Sequence, residues 1–157
     1  MGHALGALIL LRSGLETLAT LIYLNQLTAS VLDGLLNFHV FSDKTAVLLL
    51  GSRNNTTGLT AISIQTVLRK CSKRYDFVEN FYADLSECAH PNHEGLIMGY
   101  SRPDRENFIE NFANHWSEMY TRTHEDKMST VVMMFGCLST NTTMSGQSSS
   151  PRWRDGL

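Results

Sequence analysis

The chain has 157 residues, of which 43% are apolar, and a net charge of −2 with both signs interspersed. That length suits one domain and the apolar content is enough for a core. The charge excludes the strong basic excess of a dedicated nucleic-acid binder, though not a local basic patch.

Three cysteines, Cys71, Cys88 and Cys137, make an odd number with no CxxC pair. A disulfide framework is therefore not expected, and a reducing, cytoplasmic setting is. The Asn-x-Ser/Thr triplets at Asn54, Asn55 and Asn141 match a pattern that chance supplies often.

From Ala4 to Leu24 the chain is very apolar, yet Arg12 and Glu16 lie inside that stretch. A charge at a bilayer centre costs at least ~2.5 kcal/mol. No basic segment precedes the stretch and no small-residue cleavage site follows it. It reads as a buried helix rather than a membrane span or a signal peptide. The helical pattern starts abruptly, which is compatible with a domain whose first helix precedes Met1.

The first helix is expected over residues 4–38, with Leu8, Leu11, Leu15, Leu18, Ile22, Leu32 and Leu36 recurring at three- and four-residue steps. Other leucines make it apolar nearly all round, as in the central helix of a bundle. Gly34 is placed to bend or end it. A short second helix is expected over residues 44–50, capped by Ser42 or Asp43, with Gly51 as a left-handed stop. A polar loop follows over residues 52–58.

A third helix is expected over residues 59–73, with Ile62, Val67, Leu68 and Cys71 inward. The β-branched residues around Ile62 and Ile64 weaken its first turn. A fourth is expected over residues 77–89, with Phe77, Val78, Phe81, Tyr82, Leu85 and Ala89 inward, halted by Pro91. Residues 91–103 read as irregular. A fifth helix is expected from Pro103, a favoured first-turn residue, with a stripe of Phe108, Ile109, Phe112, Trp116, Met119 and Tyr120. A last apolar piece covers residues 131–138. The fold expected is thus an all-α bundle of four or five helices over residues 1–138, with a disordered polar tail over residues 139–157.

Arg12 and Glu16 stand one turn apart, in the order that favours an isolated helix least. Charges on such a face need partners. They read as a polar clamp joining helices, or as an arginine reaching a cleft. Glu87, His90 and His93 share three-residue spacing. Glu-x-x-His on a helix supplies ligands in di-iron bundles, but a second copy and two more glutamates are missing, and Pro91 takes His93 off the helix face. No metal and no cofactor are expected.

His90 reads as a helix end, where its cationic form favours the C-terminal dipole. Cys88 and Ser86 lack the oriented base that a nucleophile needs. Where the fourth helix ends, Glu87, His90, Asn92, His93, Glu94 and Tyr100 gather groups that donate and accept hydrogen bonds, so this is the candidate binding surface. Arg69, Lys70, Lys73 and Arg74 form one basic cluster, a solvated face or a contact for RNA or an acidic partner. The aromatic series Phe108, Phe112, Trp116 and Tyr120 reads as core in preference to a base-stacking surface.

The run Arg12-x-x-Leu15-Glu16, followed later by Leu85-Ser86-Glu87-x-x-His90-Pro91, resembles bacterial helical domains of the HEPN superfamily, found in toxin–antitoxin and phage-defence systems. The similarity covers roughly residues 4–120, and both motifs are short. The resemblance implies a four- or five-helix bundle, frequent homodimerisation and, in active members, metal-independent RNA cleavage. Active members carry an arginine and a histidine on one helix with four to six residues between them. Here Ala83, Asp84 and Leu85 occupy the positions that would hold that arginine for His90. The resemblance thus argues more for the bundle than for the nuclease.

Two function classes follow. One is a non-enzymatic interaction or dimerisation module of a defence or stress system, its partner a second copy, RNA or an antitoxin-like protein. The other is a variant ribonuclease using His90, Arg12 and Glu87. A small-molecule or nucleotide-binding role is a third reading.

Overall fold

A computed structural model describes residues 3–54, 56–90 and 92–139, apart from the side chains of residues 94, 96, 117–123 and 139. The elements in chain order are α1 (Ala4–Leu32), α2 (Phe38–Leu50), α3 (Ile64–Ser72), α4 (Phe77–Ala89), a π-helical turn (His93–Ile97), the three-residue α5 (Met98–Tyr100), strands β1 (Ser101–Asp104) and β2 (Ile109–Phe112), and α6 (Trp116–Ser139). The architecture is a helical bundle with one small hairpin. The tail assigned to residues 139–157 lies, from residue 140 on, outside the described residues, as do Asn55 and Pro91.

Helix α1 is not covered all round as a central bundle helix would be, since Leu10 is 73% exposed and Ile9 and Leu21 are 45% and 41% exposed. The helix packs against α2, α3, α4 and α6. Its Leu15 and Leu18 meet Leu68 and Cys71 of α3, Leu85 of α4 and Trp116 of α6 in one core of wholly buried residues. Each fully buried leucine of this kind stabilises the fold by about 1.5–3 kcal/mol. By length and composition α1 would also cross a membrane, and a third of its most apolar window is buried in the bundle.

α1 ends six residues earlier than the sequence suggests. Gly34 adopts a left-handed φ of 70°, and the N–H groups of Leu35 and Leu36 turn back to the Ser30 carbonyl at 2.8 and 3.0 Å. That satisfies carbonyls the helix would otherwise leave open. Leu32, expected inside, is 82% exposed as a result.

Helix α2 starts at Phe38 rather than residue 44. Its cap is Asn37, whose Oδ1 accepts from the His39 N–H at 2.8 Å, so Ser42 and Asp43 lie within the helix. Gly51 is not a left-handed stop, since its φ is −60°. Glycine is nevertheless required there, because a Cβ would stand 2.5 Å from the Val47 carbonyl and 2.7 Å from Ala61 Cα.

Helix α3 begins at Ile64, not residue 59. The preceding β-branched stretch is extended, and Ser52 N–H bonds the Leu59 carbonyl at 2.8 Å. The bounds of α4 agree with those expected, and Val78, Tyr82, Leu85 and Cys88 are its buried residues.

The helix expected from Pro103 does not form. Residues 101–112 make an antiparallel hairpin that pairs Ser101 with Phe112 and Asp104 with Ile109. The Asp104 carboxylate accepts from the Glu106 and Asn107 N–H groups, both at 3.1 Å, and from Asn107 Nδ2 at 2.8 Å. An aspartate offering the backbone these bonds favours a turn over a helix. Phe108 closes the loop with φ 54°. Of the helical-looking stripe, Phe108, Ile109 and Phe112 are exposed and Trp116 is buried, while the side chains of Met119 and Tyr120 lie outside those described. The apolar piece at residues 131–138 belongs to α6, which buries Val131 and Met134.

Candidate functional site

The candidate surface at the end of α4 is a hydrogen-bonded helix stop. His90 is the cap, with extended ψ of 148°, and its N–H reaches back to the Ser86 and Glu87 carbonyls at 3.2 and 3.3 Å. Asn92 ties both sides of the break. Its Nδ2 donates to Glu87 Oε2 at 2.5 Å, and its Oδ1 accepts from the Gly95 N–H at 2.8 Å. Gly95 then lies so close to the end of α4 that a Cβ would fall 1.9 Å from the His90 carbonyl oxygen and 2.9 Å from that of Cys88. The run Glu87-x-x-His90-Pro91-Asn92-x-x-Gly95 thus has a local structural logic: stop the helix, bond across the break and pack the next turn underneath.

The imidazoles of His90 and His93 are exposed and Asn92 is half-buried. Tyr100 lies elsewhere in this region, edge-on to Trp116 with ring centroids 6.2 Å apart. Gly99 is pressed on the same indole, where a Cβ would come within 2.3 Å. The side chain of Glu94 lies outside those described. Among the described residues, no three His, Cys, Asp or Glu side chains converge as a metal-ligand set.

Arg12 meets α4 elsewhere. Its Nη2 donates to Tyr82 Oη at 2.8 Å, its Nε stands 3.3 Å from Glu16 Oε1, and its guanidinium carbon lies 5.0 Å from the centre of the Tyr82 ring. Tyr82 precedes His90 by eight residues, or about 12 Å along the helix. The structure therefore brings Arg12 to Tyr82 and Glu16, and brings Glu87 to Asn92. The clamp joining α1 to α4 is present but not dry, since the Arg12 and Glu16 side chains are 27% and 34% exposed.

A second cation clamps α4 from the other side. Lys127 of α6, 8% exposed, donates to Asp84 Oδ2 at 2.5 Å and lies 5.4 Å from the centre of the Phe81 ring. Asp84 thus serves to hold α6. The sequence alone does not mark Tyr82 or Lys127 as partners for these charges. The one available signal was their own burial-prone spacing on α4 and α6.

At the end of α3 and just beyond it, Arg69, Lys70, Lys73 and Arg74 are all exposed, with Arg74 5.5 Å from the centre of the Tyr75 ring. On the inner side of α3, the Cys71 thiol contacts the Ala19 carbonyl at 3.0 Å. Burial pushes its pKa up to about 11. Burial, and then the neighbouring Cys71, push the Tyr23 hydroxyl up as well.

The feature that sequence reading missed is the outer face of α2. No residue of this helix is buried. Phe38, Phe41, Ser42, Thr45, Ala46, Leu49 and Leu50 line an open, overwhelmingly apolar groove of about 350 Å³. Phe38, Leu49 and Leu50 are 64%, 57% and 59% exposed. The signal was in the spacing, because residues 38, 41, 42, 45, 46 and 49 share one helical face. An expected start at residue 44 leaves Phe38, Phe41 and Ser42 off that face.

Fold and surfaces together define an α-helical bundle domain with an apolar groove on its second helix. Comparison with family models, curated proteins and solved structures gives no match to this chain.

Proposed function

We propose that the chain is a non-catalytic interaction module that works through the α2 groove. The observation that carries this reading is a thirteen-residue helix with no fully buried residue, whose Phe38, Phe41 and Leu49 lie on one face. Contiguous exposed apolar surface is costly in water and marks places where another surface docks. The polar groups at the end of α4 support the same reading, because Glu87 and Asn92 are engaged with each other and with Gly95 in stopping the helix.

The test has two arms. A hydrophobic reporter dye is expected to bind the purified chain, and Phe38→Asp with Leu49→Asp to abolish most of that binding while the circular dichroism stays unchanged. A mixed RNA substrate is expected to remain intact. Cleavage by the wild type that disappears in a folded His90→Ala variant would overturn the module reading in favour of the ribonuclease.

A further inference from the structure

We infer that the outer edge of β2 takes up an extended peptide segment of another protein as an antiparallel third strand. The segment has a cationic side chain facing Glu110 and apolar side chains facing Ile109 and Phe112. This edge is separate from the α2 groove and stands without it.

The hairpin leaves one row of backbone groups open. The Ala113 N–H donates to the Tyr100 carbonyl at 2.9 Å, in line with the pairing of Ser101 with Phe112 and of Arg102 with Asn111. Bonded and non-bonded pairs alternate along an antiparallel ladder. Arg102 with Asn111 and Asp104 with Ile109 are therefore bonded pairs, and Ser101 with Phe112 and Pro103 with Glu110 are not. Pro103, which has no N–H, stands where none is needed. The N–H and C=O groups of Glu110 and Phe112 consequently point away from β1. Among the described residues the sheet has two strands, and all four residues of β2 are exposed.

A two-stranded hairpin is marginal in water, and a third strand makes such a sheet stable. This hairpin also lacks cover. Phe108, Ile109 and Phe112 are exposed, Phe108 by 95%, and Phe108 holds a φ of 54° that a bulky side chain seldom adopts. At an unpaired edge an extended peptide adds to the sheet, its main-chain bonds giving affinity and its alternate side chains specificity. Side chains alternate between faces along a strand, so Glu110 and Phe112 share one face and Ile109 lies on the other.

Charge selects the partner. Glu110 is the one charged residue of β2 and lies opposite Pro103. Among the described residues it makes no ion pair. An opposite charge directly across a pair of strands stabilises the pairing, and a like charge does the reverse. Antiparallel addition then orders the segment as apolar, polar, cationic and apolar, set against Phe112, Asn111, Glu110 and Ile109 in turn.

The experiment is nuclear magnetic resonance of the whole isotope-labelled chain with the end-blocked synthetic peptide Gly-Val-Thr-Lys-Val-Gly at millimolar concentration. We expect the amide signals of Glu110 and Phe112 to shift and their hydrogen exchange to slow. N-methyl groups on the lysine and the first valine, whose amides would face β2, should abolish the shifts, whereas N-methyl groups on the threonine and the second valine should not. Glu110→Pro removes one outward N–H, leaves the ladder to β1 alone and should weaken binding about fivefold or more. Glu110→Lys should reject this peptide and accept its counterpart with glutamate in place of lysine. Unmoved amides at Glu110 and Phe112 overturn the inference, as does binding that methylation of the facing amides leaves intact. Shifts of the same amides with chain concentration alone would make a second copy the occupant. Shifts caused by phosphatidylcholine vesicles and not by the peptide would make it a lipid surface. Either result overturns the proposal.

Discussion

Replacing Tyr82 with phenylalanine removes a single oxygen and leaves the ring beneath Arg12. What is lost is the 2.8 Å bond from Arg12 Nη2. A hydrogen bond to a charged donor contributes about 1.5–3 kcal/mol when sheltered. Water reaches this guanidinium, whose side chain is 27% exposed, so the loss should fall to about 1 kcal/mol. Arg12→Met removes the same bond, the stacking on the ring and the pairing with Glu16, and should cost about 1.5–2 kcal/mol. If the Arg12–Tyr82 bond is the connection between α1 and α4, the double variant should cost less than the two losses added, with a coupling of about 0.7–1 kcal/mol. Glu16→Gln should cost no more than about 0.5 kcal/mol, because an exposed pair in that order contributes little. Urea melts followed by circular dichroism would measure the four corners of the cycle. A coupling below ~0.3 kcal/mol would show that the two residues act independently, and the clamp would lose its standing.

Other outcomes follow from the same geometry. Gly95→Ala should destabilise by about 2 kcal/mol or more, seen as faster proteolysis between residues 90 and 100, because its Cβ would overlap the His90 carbonyl. Gly6→Ala should stabilise by about 0.5–1 kcal/mol in the same melts, since nothing lies within 4 Å of the new methyl on α1. Cys71 should resist a thiol reagent at pH 8 until the chain unfolds, since burial holds its pKa at about 11. The folded state keeps this proton more tightly than the unfolded chain. Stability should therefore be constant below about pH 9 and fall by up to ~1.4 kcal/mol per pH unit between 9 and 11, with Tyr23 adding to the loss above 10. Cys71→Ala should flatten that decline, and an unchanged slope would exclude the thiol as its source.

Sequence pattern served well where one periodic apolar face met one packed neighbour. Val67, Leu68 and Cys71 of α3 and Val78, Tyr82 and Leu85 of α4 are legible in this way. It served poorly where a single side chain decided the backbone. Asn37 starts α2 with one local hydrogen bond and Asp104 turns the chain into a hairpin with three, and each wins over propensity in this way. The same holds for the candidate sites. The spacing of Glu87 and His90 was visible, but their use in a helix stop depends on Asn92 and on a glycine that fits under a carbonyl. The partner of Arg12 lies seventy residues away, and no local pattern reports a contact between distant segments.

The central position of α1 sets a schedule for synthesis. Its partners arrive late, because α4 begins 45 residues after α1 ends and α6 ends more than a hundred residues after it. At about 5–20 residues per second, the leucines of α1 wait roughly 5–20 s before α6 can cover them. Throughout that interval the nascent chain carries an apolar rod of 29 residues, the kind of segment that chaperones and translocation machinery compete to bind. How much native protein a cell obtains should therefore respond to translation rate across residues 33–139, and synonymous changes that slow that stretch should lower soluble yield without altering a single side chain.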